Sequence, residues 1–340
     1  MTTAVPALDE RPDTSSRERG VLDSVQHTLH AHPALSPAFV LILASLIFGF
    51  INQRFFLQSN LATIFQQVAV VGTLAVGQTL IILTAGIDLS VGAVMLFSQM
   101  VMAKMVHDQG VPGYLALLIG IALSALAGVL NGVLVTKVKL PPFIVTLGTL
   151  SIFTSIGLLY ASGQSVENPG TLLLWPGTRI ALGQGYATFG VLLMLALYAV
   201  VGYALRGTAW GRHVYATGDD PEAARLAGIK TERVLISVYA VGGVVFGIAA
   251  WILIGRMGTA SPNAAVDVNL DSITAVVIGG TSLFGGRGSL LGTLLGALIV
   301  GVFRNGLFLA GVDQYYQNLA VGVLIIAAVA VDQWIRKVGA

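Results

Sequence analysis

Cysteine is absent from this 340-residue chain, and Asp, Glu, Lys and Arg together make up only 10% of it. The missing thiols exclude disulfides, thiolate metal sites and a cysteine nucleophile. Five histidines are present, but none falls in a His-Glu-x-x-His or comparable ligand spacing, so no metal site is expected. A formal net charge of +2 is too small to argue for nucleic acid as a partner. Within the long apolar runs only Asp88 and Arg304 stand out as ionisable, which argues against a proton relay, and no arginine-rich helix resembles a voltage sensor. A nucleophile with its base is also missing: Ser90 has no histidine partner at membrane depth. The chain is therefore not expected to be an enzyme.

What the chain has instead is apolar length. Hydrophobic residues make up 55% of it and the mean hydropathy is +0.84, outside the ordinary globular range. A helix needs about 20 predominantly apolar residues to cross a bilayer. On that template the chain reads as an all-α polytopic membrane protein of about ten transmembrane helices. The spans are 35–51, 61–83, 89–106, 112–136, 143–162, 186–205, 233–255, 271–284, 288–310 and 316–334. The eighth is short and glycine-rich, and Thr84-Ala85-Gly86-Ile87-Asp88 interrupts the second and third, so broken or re-entrant helices are expected at both places. Residues 1–33 are polar and carry none of the marks of a signal peptide, which reads as a cytoplasmic tail ahead of a transmembrane domain over 34–340.

Lysine and arginine set the orientation, because they are retained preferentially on the cytoplasmic side. With the N-terminus inside, the inner set is Arg11, Arg17, Arg19, Lys137, Lys139, Arg206, Arg212, Arg225, Lys230, Arg233, Arg287, Arg336 and Lys337. The outer set is Arg54, Lys104, Arg179, Arg256 and Arg304. The division is 13 against 5 of the 18 basic residues, so both termini and the 206–232 loop are expected in the cytoplasm. Trp210 and Trp334 then fall near inner boundaries and Trp251 near an outer one, as amphipathic rings at headgroup depth should. Trp175 sits in the external 163–185 loop, which is either an ordinary connector or the carrier of a short interfacial helix or docking surface. Gly128-Val129-Leu130-Asn131-Gly132 is echoed by Gly301-Val302-Phe303-Arg304-Asn305-Gly306 five spans later, the offset of an inverted repeat.

Several motifs leave two readings open. Gly288, Gly292 and Gly296, Gly128 with Gly132, and Gly243 with Gly247 recur every four residues, which serves tight packing within one subunit or contact between two. Gly279-Gly280 and Gly285-Gly286-Arg287-Gly288 lack the Gly-Lys-Ser/Thr of a phosphate loop. Asp88, with Ser90 two residues on, either caps the third span or lines a path for solute. Pro141-Pro142 is expected to end the fourth span. Thr146, Thr149, Ser151, Thr154 and Ser155 make the fifth span rich in hydroxyls, which bond back to their own helix or line a path. Asp88, Ser90, Asn131, Thr146 and Asn305 are the candidate path residues.

The most informative stretch is polar. Asp220 suits an N-cap, Pro221 the first helical position, Glu222 the positive end of the helix dipole and Gly228 a left-handed C-terminal cap. A helix this short is marginal alone in water, so packing or a partner must hold it.

Here the residues resemble a known family. Glu222-Ala223-Ala224-x-x-x-Gly228 resembles the first half of the coupling motif of ABC importer permeases, although the later Ile-x-Leu-Pro half is absent. Together with Thr84-Ala85-Gly86-Ile87-Asp88-Leu89-Ser90-Val91-Gly92, Leu140-Pro141-Pro142-Phe143-Ile144-Val145-Thr146-Leu147-Gly148 and Ile278-Gly279-Gly280-Thr281-Ser282-Leu283-Phe284-Gly285-Gly286, it is similar to the ribose-type monosaccharide permeases. The resemblance covers roughly residues 60–335. It implies the permease subunit of an ATP-driven sugar importer in a bacterial inner membrane, working by alternating access, with a fold similar to vitamin B12-type importers. It further implies a second permease copy, an extracytoplasmic sugar-binding protein, and a separate ABC ATPase with one or two nucleotide-binding domains. ATP and Mg then belong to that ATPase, no cofactor to this chain, and Asp220, Pro221, Glu222, Ala223, Ala224, Arg225 and Gly228 to the coupling element. The alternative from the residues alone is a partner-independent channel or facilitator for small neutral polar solutes.

Overall fold

The computed structural model describes residues 35–183, 185–264, 267–324 and 326. The N-terminal tail with Arg11, Arg17 and Arg19, the residues Trp334, Arg336 and Lys337, and about half of the tenth expected span lie outside the described residues.

Twelve helices are delimited in the described residues: α1 (Leu35–Ile51), α2 (Gln58–Leu83), α3 (Val91–His107), α4 (Gly113–Thr136), α5 (Pro142–Ala161), α6 (Thr171–Leu174), α7 (Phe189–Gly207), α8 (Ala209–Asp219), α9 (Pro221–Leu226), α10 (Thr231–Met257), α11 (Val268–Ile278) and α12 (Leu290–Leu309). A further helical stretch starts at 314 and continues through 324. Two small antiparallel pairs close one end: β1 (Val166–Glu167) with β4 (Thr259–Ala260), and the hairpin β2 (Arg179–Leu182) with β3 (Gly185–Thr188). Six helices, α2, α4, α5, α7, α10 and α12, are long and apolar enough to cross a membrane, while α1, α3 and α11 are apolar but shorter. The protein is thus a mostly helical, multi-pass membrane protein.

Burial sorts these helices. α2 and α10 are the most enclosed of the long ones, whereas α4, α5 and α7 leave two thirds or more of their apolar windows uncovered. Uncovered apolar faces suit lipid or another subunit rather than water. Glycines set the closest approaches. A side chain at Gly128 would fall on the Tyr239 carbonyl of α10, and one at Gly243 on the Ser124 carbonyl of α4. Gly292 and Gly296 likewise seat α12 on the Gly279 and Ala275 carbonyls. The recurring glycines therefore pack helices within one chain, and Gly288 lies in the loop before α12 rather than on its face.

Contacts repeat with the order of the chain exchanged. α4 packs most extensively on α10, and α12 packs on α2; α3 also touches α10 as α11 touches α2. Gly301 abuts Val68 of α2 where Gly128 abuts α10. Exchanging α2–α4 with α10–α12 reproduces these pairings, the arrangement an inverted repeat gives.

Of three boundaries, the end of α11 differs from the sequence expectation, while α4 and α2 end at the expected residues for reasons the structure supplies. α11 ends at Ile278, not 284, because Gly280 turns the chain with φ +81 and residues 281–289 form a loop despite their apolar content. Its 11 residues rise about 16 Å, roughly half a hydrocarbon core. α4 stops at Thr136, and Pro142 is the first residue of α5, where a missing amide costs nothing; the prolines begin a helix rather than end one. At the α2 terminus Gly86 N–H donates to the Ile81 carbonyl and Ala85 N–H to the Ile82 carbonyl, with Ala85 at φ +59. That paired closure ends α2 at Leu83 and leads into a non-helical connection to Ser90.

Candidate functional site

One end of the bundle gathers the connections after α2, α4, α7 and α11. Lys137, Lys139, Arg206, Arg212, Arg225, Lys230, Arg233 and Arg287 lie on or beside them, and Lys137 forms an ion pair with Glu232 that joins the α4 and α10 ends. Arg54, Lys104, Arg179 and Arg256 lie toward the opposite end, among the connections that carry the β pairs.

The 206–232 connection at the basic end is built of two helices, and only the second was legible from the sequence. α8 starts at Thr208, whose hydroxyl oxygen accepts from the Gly211 amide at 3.3 Å. Trp210 Nε1 donates to Ser237 Oγ on α10 at 2.8 Å, and the Tyr215 hydroxyl to the Gly288 carbonyl at 3.0 Å. Burial pushes the Tyr215 hydroxyl above its ordinary pKa, so it stays protonated and remains a donor. Gly218 passes against Leu83 so closely that a side chain would fall on the Leu83 carbonyl, while Gly286 N–H donates to that same carbonyl at 3.0 Å. Gly285 and Gly286, at φ +85 and +69, hold the α11–α12 loop against Gly218 and Asp219. Nothing in the isolated sequence marks these contacts, although Trp210, Val214 and Gly218 at helical spacing are a usable sign of α8.

α9 is closed at both ends. Asp220 is extended at φ −147 and its Oδ1 accepts from the Glu222 amide at 2.9 Å and the Ala223 amide at 3.0 Å. Pro221 occupies the first helical position. At the other end Ile229 N–H donates to the Ala224 carbonyl and Gly228 N–H to the Arg225 carbonyl, both at 3.0 Å, with Gly228 at φ +86. This paired closure needs a left-handed residue, which glycine supplies without a Cβ clash. Glu222 and Arg225 form an exposed ion pair at 2.8 Å. Ala224 is the helix's buried residue, and Leu226, next to Arg225, is 84% exposed. The result is a stiff knob that offers an apolar tip at the basic end.

Four of the five candidate path residues meet where α2 gives way to α3. Asp88 Oδ1 accepts from the Ser90 amide at 2.7 Å and the Ser90 hydroxyl at 2.6 Å, and Asn131 Nδ2 on α4 donates to Ser90 Oγ at 2.9 Å. Thr146 Oγ1 on α5 lies 3.0 Å from the Ile87 carbonyl. Asn305 is elsewhere: it exchanges amide hydrogen bonds with Asn60 at 2.9 and 3.0 Å, joining α12 to α2. All five are buried. Along α5, Thr146 and Thr149 turn inward and Ser151 and Ser155 outward.

Asp271 was not expected. It lies inside α11, is nearly fully buried, and accepts from Arg304 Nη2 at 2.7 Å. Arg304 Nη1 also donates to Asn318, which donates in turn to Asp267. Among the described residues, the span interiors thus hold Asp271 in addition to Asp88 and Arg304, and Arg304 is paired. At the same end Trp175 stacks on Phe189 and Trp251 with ring centroids 4.4 and 5.6 Å apart, so the 163–185 loop carries both a short helix, α6, and a fixed aromatic cluster.

Known proteins share this pattern. Residues 60–329 match the family model described as branched-chain amino acid transport system / permease component. The chain is 48% identical over 341 residues to the fructose import permease protein FrcC of Rhizobium meliloti, covering 98% of this chain and 95% of that protein. It is 38% identical to the ribose import permease protein RbsC of Bacillus subtilis (strain 168), over 88% of this chain and 92% of that one. Identity to the D-allose transport system permease protein AlsC of Escherichia coli (strain K12) is 36%, over 88% and 91%.

Proposed function

The chain belongs to the family described as branched-chain amino acid transport system / permease component, and from that membership we propose that it is the membrane subunit of an ATP-driven importer for a monosaccharide. It is a transport subunit and not an enzyme. The single observation that carries the sugar reading is the 48% identity, along 98% of the chain, to a protein named as a fructose import permease. Fructose is accordingly the first sugar to test, ahead of ribose and allose, whose named permeases are 38% and 36% identical.

The assembly has two permease copies, an extracytoplasmic binding protein that delivers sugar, and an ABC ATPase with one or two nucleotide-binding domains that holds ATP and Mg. The membrane is the bacterial inner membrane and both termini are cytoplasmic, a reading supported by the 8 against 5 division of basic residues among those described. About ten helices cross it, in a fold similar to vitamin B12-type importers. Asp220, Pro221, Glu222, Ala223, Ala224, Arg225 and Gly228 form the element that the ATPase moves. Its doubly capped geometry supports that role, since a stiff knob transmits displacement where a frayed one dissipates it. Asp88, Ser90, Asn131 and Thr146 form the hinge through which the path opens at the α2–α3 junction, with Asn305 as the tie at the far end. Alternating access follows: closure of the ATPase pushes α9, and the helices re-pack about a path between the two copies.

The test is reconstitution in liposomes with the partner ATPase and binding protein. ATP-dependent uptake of labelled fructose that requires both partners is the expected result. Uptake by this chain alone, without ATP, replaces the reading with a partner-independent facilitator.

A further inference from the structure

α3 and α11 are shorter than the crossing helices, each follows an irregular connection, and the exchanged pairings described above make them counterparts. Their starts meet. The Gly92 amide at the start of α3 donates to Asn269 Oδ1 at the start of α11 at 2.5 Å, and a side chain at Gly92 would fall on Asn269 and Val268. The junction lies within the depth of the bundle. Gln99 Nε2 donates to the Ser261 carbonyl at 2.6 Å, and since residues 92 and 99 are about 10 Å apart along α3, the chain runs inward by roughly that much between Ser261 and Asn269. From the basic end, Ser90 is held by Asn131, about 8 Å along α4 from its last residue, Thr136.

Two helix starts at this depth gather donors that need acceptors. Asp267 gives α11 no side-chain cap, and the Val268, Asn269 and Leu270 amides have no acceptor among the described residues. Asn269 Nδ2 likewise bonds to nothing among them. Beside α3, Asn131 Oδ1 and the Tyr239 hydroxyl have no partner among the described residues, although both residues are 1% exposed. Asn131 is aimed at the α3 start by its bond to Ser90, and the Tyr239 hydroxyl lies 3.1 Å from where a side chain on Gly86 would begin. Polar groups left unpaired at such depth cost free energy that a hydroxyl-bearing ligand returns. The α11 side of the junction is open: Asp267, Val268 and Asn269 are partly exposed and Leu270 is 54% exposed.

Charge narrows the ligand. The ionisable neighbours are Asp88, Asp267 and the mutually paired Asp271 and Arg304. Two carboxylates with no cation of their own disfavour a phosphorylated or acidic solute, whereas amide donors and carboxylate acceptors together suit the hydroxyls of a neutral polyol.

We propose that the crossing of the α3 and α11 starts is a sugar-hydroxyl subsite in the wall of the path, with Asn269 and Asp267 as its contacting side chains. Asn269 Nδ2 and the open α11 amides donate to sugar oxygens, and Asp267 accepts from a sugar hydroxyl. Asn131 and Tyr239 supply an acceptor and a donor on the α3 side when the hinge at Asp88 and Ser90 opens. The inference rests on the sugar-importer reading above and names where in the path the sugar is held. Its position agrees with the way inverted repeats place a solute, between the starts of two interrupted helices.

The test uses the complete transporter in liposomes, with fructose and its monodeoxy analogues. Asn269→Asp keeps the acceptor for the Gly92 amide and removes the Nδ2 donor. Its thermal unfolding midpoint is expected to stay near that of wild type. Uptake of fructose is expected to fall about fivefold or more, and uptake of one monodeoxy analogue less than about twofold, because that analogue lacks the hydroxyl that Asn269 holds. Wild type and variant are compared on the same sugar with the same binding protein, so that protein's own preference cancels. Equal losses on every sugar, or no loss, overturn the proposal and leave the importer reading standing. Absence of ATP-dependent uptake by the wild-type assembly removes both. A second measurement uses a residue outside the tie to Gly92: the chain has no native cysteine, so Leu270→Cys places a single thiol beside the subsite. A charged thiosulfonate reagent is expected to modify position 270 from water during turnover. A thiol there that stays unreactive throughout the cycle, as one facing lipid would, overturns the proposal.

Discussion

The Gly286 amide donates to the Leu83 carbonyl across 3.0 Å, which ties the α11–α12 loop to the end of α2. Gly218, near the end of α8, packs on that same carbonyl. Three distant chain segments thus meet at one oxygen atom, directly behind the doubly capped α9. A displacement of α9 reaches α2, α11 and α12 without passing through flexible side chains, which is the mechanical property an importer needs between its motor and its path.

Gly218→Ala tests that junction. The added methyl group collides with the Leu83 carbonyl, and because backbone cannot rotate away, α8 or the α2 terminus must shift. Overpacking of this kind costs about 1–3 kcal/mol. ATP-driven sugar uptake in proteoliposomes is expected to fall about tenfold or more while the ATPase subunit still binds. Wild-type uptake by Gly218→Ala shows that the junction carries no motion.

The N-cap of α9 has its own signature. Asp220→Ala removes the acceptor for two amides and weakens the helix start by about 1 kcal/mol, whereas Asp220→Ser keeps an acceptor. Hydrogen exchange at the Glu222 and Ala223 amides is expected to quicken about fivefold in the alanine variant and to change little in the serine variant. Equal exchange in all three proteins removes the cap from the account.

Charge reversal at Glu222 separates coupling from folding. The exposed ion pair with Arg225 contributes little to stability, so its loss alone is minor. Glu222→Arg also sets a cation at the positive end of the helix and beside Arg225. Stimulation of the ATPase and sugar uptake are expected to drop together while membrane insertion, read by protease protection, is unchanged. Gly228→Val is expected to act similarly from the other end, because a β-branched residue resists φ +86, with Gly228→Asn milder. Normal coupling in both Glu222→Arg and Gly228→Val removes α9 as the coupling element.

What the sequence revealed about this site follows from range. The caps of α9 are local chemistry, since Asp220, Pro221 and Gly228 act on amides and carbonyls within a few residues of themselves. Long apolar runs are local too, and each of the first nine expected spans overlaps one of the described helices. Gly218, Gly285 and Gly286 are different: each is required by a segment far away in the chain, and no single sequence announces which carbonyl a glycine will approach. Hydropathy also misplaced the end of α11, because Thr281–Phe284 is apolar enough to extend a span while Gly279-Gly280 has already turned the chain. Asp271 escaped notice because it stood at the edge of an expected span, where an acidic residue is unremarkable until Arg304 is found opposite.

That pair yields the last prediction. Asp271 and Arg304 join α11 to α12 at the end opposite α9, with Asp271 nearly fully buried and Arg304 partly so. Asp271→Asn strands the guanidinium without a counter-ion, and breaking a buried pair from one side costs up to about 3–5 kcal/mol, less here because the Arg304 side chain is 21% exposed. The double variant Asp271→Leu with Arg304→Met removes both charges and leaves neither one stranded. Thermal unfolding in detergent is expected to show a clearly lowered midpoint for Asp271→Asn and recovery of most of that loss in the double variant. If the double variant instead adds the losses of its two single changes, the residues are not coupled, and α11 is held at the outer end by packing alone. Recovery of stability without recovery of uptake would assign the pair a second task, holding the half-length α11 in register while the basic end moves.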